Sequence, residues 1–174
     1  MVASMRNITC LLALCALTLT AWATPVLADA VDLPDGSKLD PAAICPVCTM
    51  KVGAGKLGPA AVVFKDGKVV SLDGSGDLFR YLLSPSKYGF NPSDIKALFA
   101  TDYGTKKFVD AKAAFYVLGS DLTGGMGPEA IAFSKQEDAE KFKAEHKAKR
   151  VAPFSMVTLN DLQAGKKKML KMKH

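Results

Sequence analysis

The chain has 174 residues and a formal net charge of +6 at pH 7, with 23 lysines and arginines against 17 acidic residues. That length suits one domain with a real core. Two histidines, with no Ser-His-Asp or paired-carboxylate pattern, leave few catalytic options.

The first 28 residues read as a secretory signal. Arg6 is their only charge, and an apolar run from Ile8 to Ala23 follows it. Val26 and Ala28 then stand at the small-residue positions of a cleavage site, before Asp29 opens a polar stretch. The run is too short for a membrane anchor. Leu14 precedes Cys15 where a lipid-modification signal wants Gly or Ala, which argues against a lipid anchor there. Cys10 and Cys15 are expected to leave with the signal, so the mature chain keeps Cys45 and Cys48. Export in turn argues against a nucleic-acid partner for the basic tail. No apolar segment after Ala28 approaches spanning length, so no stable membrane insertion is expected after signal removal.

Residues 29–43 are polar and carry Pro34 and Pro41, and they read as a flexible linker. Cys45-Pro46-Val47-Cys48-Thr49-Met50 follows, then a loop with Gly53, Gly55, Gly58 and Pro59. Ala60 to Phe64, an Asp66-Gly67 turn and Lys68 to Leu72 form a hairpin signature. Asp73 stands at a helix-cap position before Leu78, Phe79, Tyr81, Leu82 and Leu83, which recur at helical spacing until Pro85. Ile95 to Thr101, Phe108 to Ala111 and Ala113 to Leu118 read as strands. Gly124 to Pro128 is a break, and Ala130 to Phe133 is a short strand. Ser134 and Glu137 form a capping box for a helix carrying Ala139, Phe142 and a solvent-exposed His146. Val157 to Gln163 reads as a last short helix. Residues 164–174 are a basic tail.

Chemistry concentrates in the hexapeptide. Thiolate and thioether are soft ligands that select Cu(I) over hard cations. On an extended backbone Cys48 and Met50 would leave the same face and grip one ion together. The same residues also read as a CxxC disulfide or redox pair, and the hexapeptide alone leaves both open. An internal echo accompanies it: Val69 to Asp73 with Asp77 and Tyr81 is similar to Ala130 to Ser134 with Asp138 and Phe142. Each is a strand, a cap and an amphipathic helix. The echo suggests two similar β-rich halves, each with a helix over one sheet face.

Taken in order, these motifs resemble the NosL family, the nitrous oxide reductase accessory proteins. Cys48-Thr49-Met50 sits where the family has Cys-Gly-Met. Phe64 to Val69 is similar to its first hairpin, and Asp73-Gly74 with Asp77 to Leu82 to its first helix. Thr101-Asp102-Tyr103, Asp110-Ala111 and Ala114 to Asp121 follow its central strands. Gly125-Met126-Gly127 resembles its Pro-Met-Gly loop, and Phe133-Ser134 with Glu137, Asp138, Ala139 and Phe142 its last helix. The resemblance spans roughly residues 44–160, within an expected domain of 44–163. It implies a small α+β domain of two related β-rich halves, antiparallel hairpins each with a packed helix. It also implies a periplasmic Cu(I) chaperone, not an enzyme, that supplies copper for maturation of nitrous oxide reductase. Cys48, Met50 and Met126 carry over as ligands. A glycine-flanked Met126 can approach a metal closely.

Several positions depart from the family. Thr49 replaces glycine. Pro128 stands where many members have a His. Cys45 is an additional thiol, either a further copper ligand or a disulfide partner for Cys48. Met169, Met172 and His174 in the tail are candidates for a second, weaker copper site, against a plain solvated tail. Other classes fit less of the chain. A CxxC oxidoreductase would place its pair after a strand and at the start of a helix. A zinc module would need a second Cys/His pair. A YHS-like heavy-metal domain would leave the second half unexplained.

Overall fold

The computed structural model describes residues 29–53 and 55–163 and begins with a two-stranded ribbon, β1 (Val31–Asp32) and β2 (Lys38–Leu39). This corrects the flexible linker expected over 29–43. The polar composition conceals two apolar anchors: Leu33 and Leu39 are buried in the main core, Leu39 completely. The Asp40 amide donates to the Ser71 hydroxyl, which ties the ribbon to the strand beneath it.

Two β-β-α-β units follow. In the first, β3 (Ala60–Phe64) and β4 (Val69–Leu72) form the antiparallel hairpin. Its turn places Gly67 at φ 88°, a left-handed conformation that glycine takes without a Cβ clash. Next come α1 (Ser75–Leu82) and a one-turn helix, α2 (Pro85–Tyr88). β5 (Ile95–Thr101) returns to the free edge of β3, and β6 (Phe108–Asp110) pairs with β5. The sheet order is β4-β3-β5-β6. All five residues of β3 are buried, as the central strand's unbroken apolar run requires.

The second unit repeats the path. β7 (Phe115–Gly124) and β8 (Gly127–Phe133) form the hairpin, α3 (Gln136–Glu145) follows, and β9 (Arg150–Pro153) returns to β7. Residues 159–163 are helical, as the sequence suggests. The echo is therefore a repeated topology, and the α+β fold of two related halves is present. Phe79 of α1 meets Tyr116 of β7 edge-to-face at 4.7 Å, so the first helix packs into the core of the second half.

Neither expected cap forms. The residue capping α1 is Gly74, and the cap of α3 is Lys135, neither with a side-chain bond. The carboxylates come from across the molecule instead. Glu129 of β8 accepts the Gly76 amide at 2.8 Å, within the first turn of α1. Asp102, just after β5, accepts the Ser134 amide at 2.6 Å, just ahead of α3. Each half thus supplies the anion for the other half's helix start, where the dipole favours one. Among the described residues, no helix is long and apolar enough to cross a membrane.

Candidate metal centre

Residues 45–50 form a turn rather than a strand. The Thr49 amide donates to the Cys45 carbonyl, and the Cys45 amide donates to the Met50 carbonyl, both at 2.9 Å. Thr49 holds φ at 61°, an outlier for a β-branched residue. Its hydroxyl donates to the Cys48 carbonyl at 2.6 Å. This corrects the expectation that Cys48 and Met50 share a face on an extended backbone. The turn sends Cys48 toward Cys45 and carries Met50 toward the far hairpin.

The Cys45 and Cys48 sulfurs and an Asp77 oxygen all lie within 4.8 Å of one another. Cys45 is fully buried, and its thiol donates to Asp77 Oδ2 at 3.4 Å. Both thiols are free. Burial pushes the Cys48 thiol well above its usual range, and hydrogen bonding to Asp77 and Cys45 adds to this. Without metal Cys48 is therefore a thiol, and a metal ion binding there must displace its proton. Asp77 comes from α1, 32 residues after Cys45 in the chain. Sequence reasoning missed it as a site residue. The only available signal was its place in the helix motif, which is equally that of an ordinary first-turn acid.

Met50 is 38% exposed. A Cβ placed on Gly125 would lie 2.6 Å from the Met50 sulfur, so the absence of a side chain there lets the thioether lie on the β7–β8 turn. Met126, the next residue in that turn, is half-buried. It lines a cavity of about 180 Å³ with Val47 and Arg80. The structure thus brings Cys45 and Cys48 together and seats Met50 beside the turn that carries Met126. Met169, Met172 and His174 lie outside the described residues. His146 is not the free surface residue expected. It stacks on Phe142 and contacts Asp121 at 2.7 Å, and its side chain is 28% exposed.

A buried polar network underlies the cluster. Arg80 donates to Asp77 Oδ1 at 3.0 Å and faces Glu129 Oε1 at 3.5 Å. Burial raises the Glu129 pKa from 4.5 to about 7, against the pull of Arg80 and the Gly76 amide. A carboxyl that holds its proton more tightly folded than unfolded takes one up on folding between those values. Its contribution to stability therefore falls as pH rises from 4.5 toward 7. Urea denaturation at a series of pH values is expected to show this slope, and Glu129→Gln is expected to flatten it.

Fold and site together define a class: small α+β proteins that gather soft donors at the seam between two related halves. The NosL family model matches residues 36–161, and the chain belongs to that family. It is similar to the crystal structure of the copper chaperone NosL from Shewanella denitrificans. That match has 28% identity and a TM-score of 0.60, covering 68% of this chain and 92% of the other. A second similar structure is the solution NMR structure of apo-NosL from Achromobacter cycloclastes, at 23% identity and a TM-score of 0.46. It covers 59% of this chain and 87% of that one. No curated protein matches the chain.

Proposed function

We propose that this chain is a periplasmic Cu(I) chaperone that delivers copper for maturation of nitrous oxide reductase. The observation that carries the reading is the Cys45–Cys48–Asp77 cluster beside the Met50 and Met126 turns, in a member of the NosL family. Cys48, Met50 and Met126 are the ligands of the proposal, and Cys45 stands ready as a second thiolate. Asp77 is a hard oxygen donor and a poor match for Cu(I). Its role in this scheme is to accept the thiol hydrogen bonds, held in place by Arg80.

The exposed Met50 supports a carrier rather than a store. A half-open thiolate–thioether site lets an incoming ligand attack before the outgoing one leaves. Competition titration with a chromogenic Cu(I) chelator is expected to show tight one-to-one binding by the reduced mature protein. Stopped-flow mixing of the loaded protein with an acceptor should then outpace release into buffer. Release at the buffer rate would rule out direct exchange, and absence of competitive binding would rule out the chaperone reading.

The second reading, a thiol–disulfide oxidoreductase, rests on the closeness of the two sulfurs. The environment disfavours it. A reactive thiol of that class is partly exposed and has a lowered pKa. Here Cys45 is fully buried, the Cys48 thiol is pushed up, and residues 46–48 form a turn with no helix following.

A further inference from the structure

We infer that Arg80 is a positioning residue that holds the two parts of the copper site in register, an assignment that rests on the copper reading above. The proposed ligands come from two distant segments, the 45–50 turn and the β7–β8 turn. Something must fix one against the other. The Arg80 guanidinium lies between them.

Its side chain is 12% exposed and bonds in several directions. Nη1 donates to Asp77, the carboxylate that accepts the Cys45 thiol. Nη2 donates to the Pro128 carbonyl at 2.8 Å, two residues beyond Met126 at the root of its turn. The same nitrogen reaches the Leu162 carbonyl at 3.3 Å. Glu129, next to Pro128, faces Nη1 and accepts the Gly76 amide. That carboxylate sits in a tight slot: a Cβ on Gly76 would lie 2.2 Å from it, and one on Gly124 2.3 Å. Two neighbouring groups on the β8 side of the β7–β8 turn, the Pro128 carbonyl and Glu129, therefore fix it to α1, and α1 carries the Asp77 that accepts the Cys45 thiol.

A planar fork with five donors is suited to this task, and a lysine ammonium is not. Lysine keeps the charge but cannot hold Asp77 and the Pro128 carbonyl in one plane. Arg80→Lys is expected to lower Cu(I) affinity about 10- to 100-fold, the usual range for losing a partner that orients a ligand. X-ray absorption of the copper-loaded variant should show one sulfur fewer around copper than in the wild type, because Met126 is no longer held. In a Met126→Leu background the same substitution should add almost nothing, since the ligand it positions is already gone.

A role confined to folding would move the melting temperature while leaving the sulfur count unchanged, and its effect would add to that of Met126→Leu. Either result overturns the assignment, as does wild-type affinity in a folded Arg80→Lys protein. Should that variant not fold, Glu129→Gln serves instead. It keeps an acceptor for the Gly76 amide while removing the charge facing Arg80, and the same coupling to Met126→Leu is expected. Met126→Leu alone separates the two levels. No loss of affinity in that single variant defeats the ligand reading and this inference together. Loss there without loss in Arg80→Lys defeats the inference alone.

Discussion

Cys48→Ser is expected to remove competitive Cu(I) binding, a loss of more than about 100-fold and so beyond the cost of losing a supporting partner. A serine hydroxyl is a hard donor that stays protonated near neutral pH, and it offers Cu(I) nothing in place of a thiolate. Cys45→Ser is the informative companion. Cys45 is fully buried and already bonded to Asp77, so its loss is expected to leave most of the affinity. The chelator competition distinguishes the cases. Equal loss in both variants would make the centre a two-thiolate site. Retained binding in Cys48→Ser would remove the carried-over ligand set altogether.

Leu39→Ala is expected to cost about 2–5 kcal/mol of stability, the range for truncating a fully enclosed leucine. The residue lies in a two-residue strand within a segment whose composition suggests no structure. Yet it has no solvent exposure and belongs to the same core as Leu78, Phe79 and Tyr116. Urea denaturation monitored by circular dichroism gives the number. A change below about 0.5 kcal/mol, as for an ordinary surface substitution, would mean that the ribbon is not part of the cooperative fold.

Elements with local causes were legible. The β3–β4 hairpin follows from Asp66-Gly67 between two apolar runs, α1 from its helical spacing and Pro85, and the repeat from two strand-then-helix patterns. The α1 and α3 caps were not legible. Asp73 and Ser134 satisfy the local rule, yet the Gly76 amide goes to Glu129, 53 residues away, and Ser134 donates its own amide to Asp102, 32 residues away. The site divides in the same way. The Cys-x-Met pair proposed as ligands stands out by residue type and spacing. Asp77 and Arg80 become visible only when α1 is laid beside the 45–50 turn. Thr49 shows the limit from the other side. The family's glycine at that position signals a left-handed backbone, and threonine hides a conformation that the chain adopts regardless.

The long-range contacts also set the order in which this protein assembles. Hairpin pairing within each half joins neighbouring strands. The bonds that build the centre span 32 residues from Cys45 to Asp77 and 48 from Arg80 to Pro128. Closing long loops costs entropy before any contact repays it, so such contacts form late. A nascent chain therefore displays Cys45 and Cys48 as two unrestrained thiols until α1 packs against the 45–50 turn. During that interval the pair is open to adventitious metals and to oxidation, and the arrangement is complete only once α1 meets the 45–50 turn through Asp77 and the β7–β8 hairpin through Arg80.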